Sequence, residues 1–256
     1  MVSIEVSSGN QSVERASLIL KTLSEHGSLG VTDIARRVGL PKSITYRLLV
    51  SLRAADFVRA DPKSRRYALG YGLLQMTSDW LSRIEVRSVA MPYLKQLRHD
   101  TGETVALNVR DGDCRVSVER LDTSFEVRFV IDLGRRLPMH IGAAGKAILA
   151  FLPDSEIAEI MTRAKLPARQ ERQLKKDLEE IRRLGFSDTC GERVPGSRSI
   201  SAPIFNHEGM AIASVSILSL ESRLHQREVK ECRRRVKIAA MDISNEMGSS
   251  RYSSVA

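Results

Sequence analysis

The segment that most constrains the fold of this chain is residues 30–69, in which a short helix, a tight turn, a second helix and a basic hairpin follow one another. Gly30 is an acceptable N-cap for the first helix, and Asp33 places a carboxylate near the positive end of that helix. Gly39 supplies the turn, and Pro41 opens the second helix at a position where its missing N–H group costs nothing. This order predicts a helix-turn-helix unit.

The second helix of the pair has an apolar side and a polar side. Its apolar residues recur at helical spacing and predict a buried stripe of Ile44, Leu48, Leu49 and Leu52. The polar residues of its N-terminal half are left outside, and these are Lys42, Ser43, Thr45, Tyr46 and Arg47. Because this end of the helix enters the major groove in helix-turn-helix proteins, the five polar residues are candidate DNA contacts.

Two short strands are predicted after the second helix, at residues 57–60 and 66–69, and they flank a turn-rich connection that contains Pro62. The hairpin carries three cations, Lys63, Arg65 and Arg66, which are candidates for contact with phosphates or with the minor groove. A bare helix-turn-helix pattern is also typical of solvated helical hairpins and of winged helices that contact only proteins. The basic wing favours double-stranded DNA as the partner.

The global charge agrees with a polyanionic partner. Lys and Arg outnumber Asp and Glu by 40 to 31, which gives a formal net charge of +9, and such an excess favours nucleic acid or another polyanion. At 256 residues the chain is long enough for two domains. No apolar run approaches the about 18 residues of a membrane span and no secretory signal is evident, so we expect a cytoplasmic protein without a membrane partner.

The region after the wing predicts a helix at 71–84 that is more apolar than a free linker. It either packs on its own domain or contacts a second copy of the chain. The second alternative is favoured because helix-turn-helix proteins generally read paired half-sites as two-fold dimers. The candidate dimerisation residues are Leu73, Trp80 and Leu81.

The remainder of the chain predicts an α+β domain with antiparallel strands and helices gathered at one side. Strands are predicted at 103–110, 113–121, 126–131, 197–205 and 210–218, and helices at 86–98, within 140–152, in two segments up to about 184, and at 223–247. The chain therefore divides into a DNA-binding domain (11–70), a linker helix (71–85), a second domain (86–248) and a flexible tail (249–256).

Small residues mark a candidate anion site in the second domain. Gly142, Ala143, Ala144 and Gly145 open an apolar helix whose first N–H groups are left accessible, which is a natural place for a carboxylate. Ser214 and Ser216 are two residues apart on one predicted strand, so both point to the same face. Together with Ser199 they are able to donate hydrogen bonds to a bound oxyanion, although serines in strands are often structural residues.

Three segments carry a family resemblance. They are Leu40-Pro41-Lys42-Ser43 with Arg47-Leu48-Leu49, then Leu137-Pro138-Met139-His140 with Ala144-Gly145-Lys146-Ala147, and then Gly185-Phe186, Glu192 and Ser199-Ile200-Ser201-Ala202-Pro203-Ile204-Phe205-Asn206. Over essentially its whole length the chain resembles the IclR-type transcriptional regulators.

That resemblance implies a winged helix-turn-helix domain, a linker helix that dimerises, and a GAF-like effector-binding domain. It also implies that a small organic acid changes the binding of a homodimer, or of a dimer of dimers, to a palindromic operator. The family's effector-binding motif falls on Ala143, Ala144, Thr189, Ser199, Ser214 and Ser216. Thr189 departs from the family pattern, which has Asp or Ser there.

Enzymatic alternatives receive little support. The segment 142–147 has too few residues between its glycines for a phosphate-binding loop, and Ala147 follows the lysine where Ser or Thr is required. No Gly-x-Ser-x-Gly elbow is present, and the three cysteines are too few and too widely spaced for a disulfide framework or a zinc site. We therefore expect a regulator without a metal, a cofactor or catalytic residues. A GAF-like-fold enzyme acting on a small molecule is the alternative.

Overall fold

The structure is a computed structural model of the chain. It describes residues 10–82 and 85–252, with no side-chain description for residues 78–82. The chain divides into two compact units, Met1–Arg83 and Ile84–Ala256.

The first unit is a helical domain with a small sheet. Its elements are α1 (Gln11–His26), β1 (Leu29–Gly30), α2 (Val31–Val38), α3 (Lys42–Ala54), β2 (Val58–Ala60), β3 (Arg66–Leu69) and α4 (Tyr71–Ser82). The three strands are antiparallel in the order β1-β3-β2. Ile19 and Leu23 of α1 pack with Ile34 of α2 and Leu49 of α3 in one apolar core, which fixes the angle between the two helices of the helix-turn-helix.

The ends of these helices follow ordinary capping chemistry. The side-chain oxygen of Asn10 accepts the N–H of Ser12 at 3.0 Å, so Asn10 caps α1. Gly39 adopts a left-handed φ of 67° after α2, a conformation that glycine reaches without strain. Pro41 precedes the first helical residue of α3, one position earlier than the sequence analysis placed it.

The second unit combines a six-stranded sheet with five α-helices among its described residues. Its elements are α5 (Glu85–Thr101), β4 (Thr104–Asp111), β5 (Cys114–Leu121), β6 (Arg136–Pro138), α6 (Gly142–Leu149), α7 (Asp154–Ala164), α8 (Ala168–Leu184), β7 (Ser187–Cys190), β8 (Ser197–Phe205), β9 (Ala211–Leu220), a short 3₁₀ turn (Glu221–Arg223) and α9 (Gln226–Glu246). The strands are antiparallel in the order β6-β5-β4-β9-β8-β7. The predicted α+β fold class is confirmed.

One strand prediction in this unit was wrong, and two observed edge strands, β6 and β7, were not predicted. Residues 126–131 form no strand. The backbone oxygens of Val127 and Ile131 instead accept from the side chains of Arg223 and Arg120, and Val127 remains 66% exposed. The edge strand β7 was missed, because Ser187-Asp188-Thr189-Cys190 has no alternation of apolar and polar residues.

Helix α6 lies against β7, β8 and β9, and all eight of its residues are buried. The close approach depends on glycine. A Cβ atom on Gly145 would lie 2.3 Å from the backbone oxygen of Met139, a distance that only displacement of the backbone would relieve. Ile148 and Leu149 carry the helix into a core shared with Phe205 of β8. This packing fixes the N-terminus of α6 against one face of the sheet.

Residues 249–252, predicted to be part of a flexible tail, are packed. The hydroxyl of Tyr252 donates to the backbone oxygen of Pro203 at 2.8 Å, and Ser249 is 5% exposed. No helix in the described part of the chain has the length and apolar composition needed to cross a bilayer.

Candidate functional site

The exposed face of α3 carries most of the predicted DNA contacts. Lys42, Ser43, Tyr46 and Arg47 are exposed. None of them has a carboxylate partner among the ion pairs of the described residues. The exposed start of α3 therefore presents two cations, a hydroxyl and a phenol.

Thr45 does not belong to this face. Its side chain is fully buried, and its Oγ1 donates to the backbone oxygen of Pro41 at 3.1 Å. The buried residues of α3 are Thr45, Leu49 and Leu52. Leu49 and Leu52 were predicted, whereas Ile44 and Leu48, the other two residues of the predicted stripe, are half-buried. The prediction of Thr45 as a DNA contact was wrong.

The wing is shaped by Asp61 at the end of β2. Its carboxylate accepts the N–H of Lys63 and the hydroxyl of Ser64, both at 2.8 Å. The hydrogen bond from the Ser64 side chain, with those from the backbone of Lys63 and Ser64, lowers the pKa of Asp61 below its usual value. This turn exposes Lys63 and Arg65 at the tip of the hairpin.

Arg66 has a partner inside its own unit, because its Nη2 donates to the backbone oxygen of Ser28. This bond ties β3 to the residue before β1. Of the three cations predicted on the wing, Lys63 and Arg65 are the ones for which no intramolecular side-chain partner is seen among the described residues.

Helix α4 begins against the wing and leaves apolar side chains exposed. The N–H of Gly72 donates to the backbone oxygen of Asp56 at 3.0 Å, which anchors the start of the helix. Leu73 is half-buried, whereas Leu74 is 64% and Met76 58% exposed. The side chains of Trp80 and Leu81, the other two predicted dimerisation residues, lie outside the described residues.

A cavity lies between the N-terminus of α6 and the sheet of the second unit. It brings together five of the six predicted effector residues, Ala143, Ala144, Thr189, Ser199 and Ser216. Thr189 and Ser199 are register partners on β7 and β8. Residues of β4, β5 and β6 complete the same face, and the loops after β5 and β7 form the rim.

Ser214 is the exception among the predicted effector residues. It is fully buried, and its Oγ donates to the backbone oxygen of Ala144 at 3.0 Å. Ser214 and Ser216 do share a face of β9, but α6 covers the first of them and leaves the second beside the cavity. Ser214 therefore holds α6 on the sheet, and its prediction as a ligand contact was wrong.

A buried polar network that was not predicted from the sequence lies on the same face of the sheet. The side-chain oxygen of Asn108 accepts from Nη1 of Arg115 at 2.9 Å and from Oγ of Ser117 at 2.8 Å. Its Nδ2 donates to Oγ of Ser216 at 3.2 Å, and Ser201 donates to the same oxygen at 2.7 Å. The sequence does carry one indication of this network. Arg115 and Ser117 are two residues apart on β5, so both lie on one face of the strand.

Arg115 is the cation of this network. It is 6% exposed, and burial, assisted by the nearby positive charge of Arg193, lowers the pKa of Arg115 to about 10. The side chain therefore stays protonated at neutral pH. Its Nη2 lies next to the start of α6, 3.7 Å from the position that a Cβ atom on Gly142 would take.

The N-terminus of α6 has no capping side chain. Ile141 occupies the N-cap position without a side-chain hydrogen bond, and the first turn contains no acidic residue. Gly142 has a left-handed φ of 76°, which a residue with a side chain rarely adopts. The positive end of the helix dipole and the Arg115 guanidinium thus meet at one end of the cavity.

The rim of the cavity is tied to α6 by Lys146. Its Nζ lies 2.9 Å from Oδ2 of Asp177 on α8 and 2.8 Å from Oε1 of Glu192 in the loop after β7. Burial opposes the charged form of Lys146, but the hydrogen bonds to Glu192 and Asp177 outweigh it and raise the pKa of this lysine. Glu192 also lines the cavity, so this ion pair holds the loop after β7 beside the cavity.

No cluster of three or more metal-binding side chains occurs in the described residues.

Both units of the chain are similar in sequence to known proteins. The family description "IclR helix-turn-helix domain" matches residues 12–62, and "Bacterial transcriptional regulator IclR C-terminal" matches residues 78–245. The HTH-type transcriptional repressor AllR of Escherichia coli (strain K12) is 34% identical over 247 residues, which cover 94% of this chain and 91% of AllR.

Solved structures agree with this assignment. The crystal structure of Thermotoga maritima IclR has a TM-score of 0.83 at 30% identity and covers 93% of this chain and 98% of that chain. An IclR homologue from Microbacterium hydrocarbonoxydans, crystallised with 4-hydroxybenzoate, has a TM-score of 0.77 over 93% of this chain and 99% of that chain. Its identity of 20% shows the fold alone. With its helix-turn-helix and C-terminal domains both matched, the chain belongs to the IclR family of bacterial transcriptional regulators.

Proposed function

We propose that this regulator binds an operator through α3 and the wing, and that a small organic acid in the cavity beside α6 changes its operator affinity. The observation that carries the effector half is the buried Arg115 guanidinium beside the uncapped start of α6. A buried cation and a helix N-terminus both favour an anion.

The exposed side chains of the first unit support the proposed binding to DNA. Lys42, Ser43, Tyr46 and Arg47 are exposed at the start of α3. In this proposal Lys42 and Arg47 enter a major groove, with Ser43 and Tyr46 beside them. Lys63 and Arg65 on the wing contact phosphates, which adds affinity without sequence preference. We divide the chain functionally into residues 11–70 for DNA, 71–85 for the linker helix and 86–248 for the effector.

The bound acid contacts the cavity at several points in this proposal. The N–H groups of Ala143 and Ala144 bind its carboxylate, and the hydroxyls of Thr189, Ser199 and Ser216 bind its other polar atoms. The binding of 4-hydroxybenzoate by the Microbacterium hydrocarbonoxydans homologue supports an acid in this fold. The name of AllR, a repressor, supports operator control as the output.

The acid controls DNA binding in this proposal by changing how the two subunits of a homodimer are placed on a palindromic operator. Half-sites lie about 34 Å, one helical turn, or a multiple apart, so a modest change in the placement of the two recognition helices spoils the register. The acid shifts this equilibrium only if it binds one arrangement more tightly than the other. Whether the result is repression or activation depends on which arrangement binds DNA.

A selection experiment tests both halves. Purified protein selects duplexes from a random library, and the enriched sequence is then titrated by mobility shift with and without a panel of small aliphatic and aromatic acids. We expect an imperfect palindrome and at least one acid that changes affinity tenfold or more. Selection of no sequence, or an operator affinity that none of the acids changes, would contradict the proposal.

A further inference from the structure

Arg115 is a buried charge without a counterion. It is 6% exposed, and none of the ion pairs among the described residues includes it. Two carboxylates line the same cavity, but both are already paired. Glu192 lies 2.8 Å from Lys146, and Asp132 lies 3.1 Å from Arg135. A cation removed from water at this cost requires an anion, and the described residues do not supply one.

The hydrogen-bond network fixes which edge of the guanidinium is free. Nη1 is used by Asn108 at 2.9 Å, and Asn108 is itself held by Ser117 and Ser216. Nε is buried without a hydrogen-bond partner, and Nη2 lies beside Gly142. The Nε–Nη2 edge is the one with which arginine forms two parallel hydrogen bonds to a carboxylate.

The size of the cavity limits what the anion is attached to. The cavity has a volume of about 50 Å³, whereas an engineered protein cavity that binds benzene measures about 150 Å³. A short aliphatic acid therefore suits this space better than an aromatic acid does.

We propose that Arg115 is the charge-recognition residue of the effector site, and that its Nε and Nη2 bind the carboxylate of a short aliphatic acid together with the first turn of α6. This inference rests on the proposed effector function and names the residue that makes the site select an anion. Asn108, Ser117 and Ser216 are positioning residues, because they hold the guanidinium in the orientation that leaves this edge free.

The probe for the test is acetate, with acetamide as a neutral molecule of the same shape, both at constant ionic strength. The thermal midpoint of the full-length protein is measured against the concentration of each, since a ligand that binds only the folded state raises the midpoint as its concentration grows. We expect acetate to raise it and acetamide to leave it unchanged. Equal responses to the two probes would overturn the proposal.

The variant Arg115→Gln separates recognition from a structural role. We expect its apparent acetate affinity to fall at least tenfold, while its midpoint without acetate stays at or above that of the unaltered protein because an uncompensated buried charge is gone. Arg115→Lys keeps the positive charge but has no guanidinium to form two parallel hydrogen bonds to one carboxylate. We expect its acetate affinity to lie between that of the unaltered protein and that of Arg115→Gln. An acetate response within threefold of normal in Arg115→Gln, or a fully normal response in Arg115→Lys, would overturn the proposal.

Arg227→Gln is the matched control, since Arg227 is an exposed arginine of α9 that does not line the cavity. We expect its acetate affinity to stay within threefold of normal, and an equal loss in Arg227→Gln and Arg115→Gln would assign the effect to general charge. Benzoate tests size, and stabilisation by benzoate at lower concentration than by acetate would overturn the restriction to short acids. Operator binding without any acid is measured separately, so a failure of the regulatory proposal is distinguishable from a failure of the Arg115 assignment.

Discussion

Hydroxyl side chains in this protein divide between those used by the fold and those left beside the candidate sites. Thr45 donates to the Pro41 backbone oxygen, and Ser214 donates to that of Ala144. Thr189 and Ser199 line the cavity and remain half-buried. The same chemical group therefore stabilises a helix in one place and is free to bind a ligand in another, and the deciding factor is which neighbour lies against it.

The contrast between Thr45 and Arg47 gives a test on α3. Thr45→Val keeps the volume and removes one hydrogen bond, while the Pro41 oxygen still accepts the backbone N–H of residue 45 at 3.0 Å. We expect a loss of at most about 1 kcal/mol in the free energy of unfolding and unchanged operator affinity. Arg47→Ala should instead weaken operator binding by about 1–3 kcal/mol. Chemical denaturation and mobility shift measure the two effects, and a large loss of DNA affinity in Thr45→Val would place Thr45 at the interface after all.

Residue-level prediction from the sequence agrees with the structure where a side chain's position depends on near neighbours along the chain. The small residues at 142–145 and the shared face of Ser214 and Ser216 are of this kind. It failed where the role depends on a distant element. Nothing local reveals that α6 covers Ser214, or that Arg115 faces the cavity through a bond to Asn108.

At the scale of elements, the wing is a hairpin whose turn is held by hydrogen bonds to the Asp61 carboxylate. This turn leaves Lys63 and Arg65 exposed at its tip. If Lys63 and Arg65 bind phosphates, replacing both with alanine prevents the release of the counterions that these two side chains displace from DNA. We expect lower affinity for every duplex, and a slope of log affinity against log salt concentration that flattens by about 0.9 for each phosphate that is no longer neutralised.

A matched control for the wing is Arg53→Ala, an exposed cation in the last turn of α3, away from the end that carries the predicted DNA contacts. Its salt dependence should equal that of the unaltered protein. A double variant of Lys63 and Arg65 with unchanged binding across a salt titration would remove the wing from the DNA-binding surface.

Helix α4 carries a second test at this scale. Leu74 and Met76 expose apolar side chains on it, and burying such a side chain against a second copy stabilises a dimer by about 1.5–3 kcal/mol. Replacing both with serine should raise the dimer dissociation constant and weaken operator binding together. Sedimentation measures the first effect and mobility shift the second, and a dimer of normal stability in the double variant would assign the interface to another element.

Element boundaries were predictable where the pattern is strong and the partner is close in sequence. The hairpin β4–β5 across Gly112 and the pair β8–β9 are both of this kind. The segment 126–131 alternates like a strand but pairs with none, and the backbone oxygens of Val127 and Ile131 accept hydrogen bonds from the side chains of Arg223 and Arg120. A strand is a property of a pair, so alternation alone does not produce one.

At the scale of the whole molecule, the two units keep separate cores and separate candidate sites. The candidate DNA-binding residues lie in the first unit and the cavity residues in the second. Regulation of one by the other is therefore a coupling free energy between two sites, and such a coupling is reciprocal.

Reciprocity gives a prediction that needs no knowledge of whether the protein represses or activates. If an acid changes operator affinity by a given factor, a saturating operator duplex must change the affinity for that acid by the same factor and in the same direction. We expect a coupling of about 1–3 kcal/mol, which is a factor of about 5–150. Calorimetric titration of the acid into the free protein and into the protein–operator complex measures one side, and mobility shift measures the other.

Arg115→Gln should abolish the effect of the acid on operator binding. Operator affinity without the acid should stay within about threefold of normal, a factor well below the expected coupling. The reason is that Arg115 belongs to the second unit, whereas the candidate DNA-binding residues belong to the first. Ser214→Ala is expected to act differently, since it loosens α6 from the sheet. It should lower the free energy of unfolding by about 1 kcal/mol without abolishing acid binding. An acid that changes operator affinity while the operator leaves the acid affinity unchanged would mean that the acid acts on the DNA or the solution and not through a site on the protein.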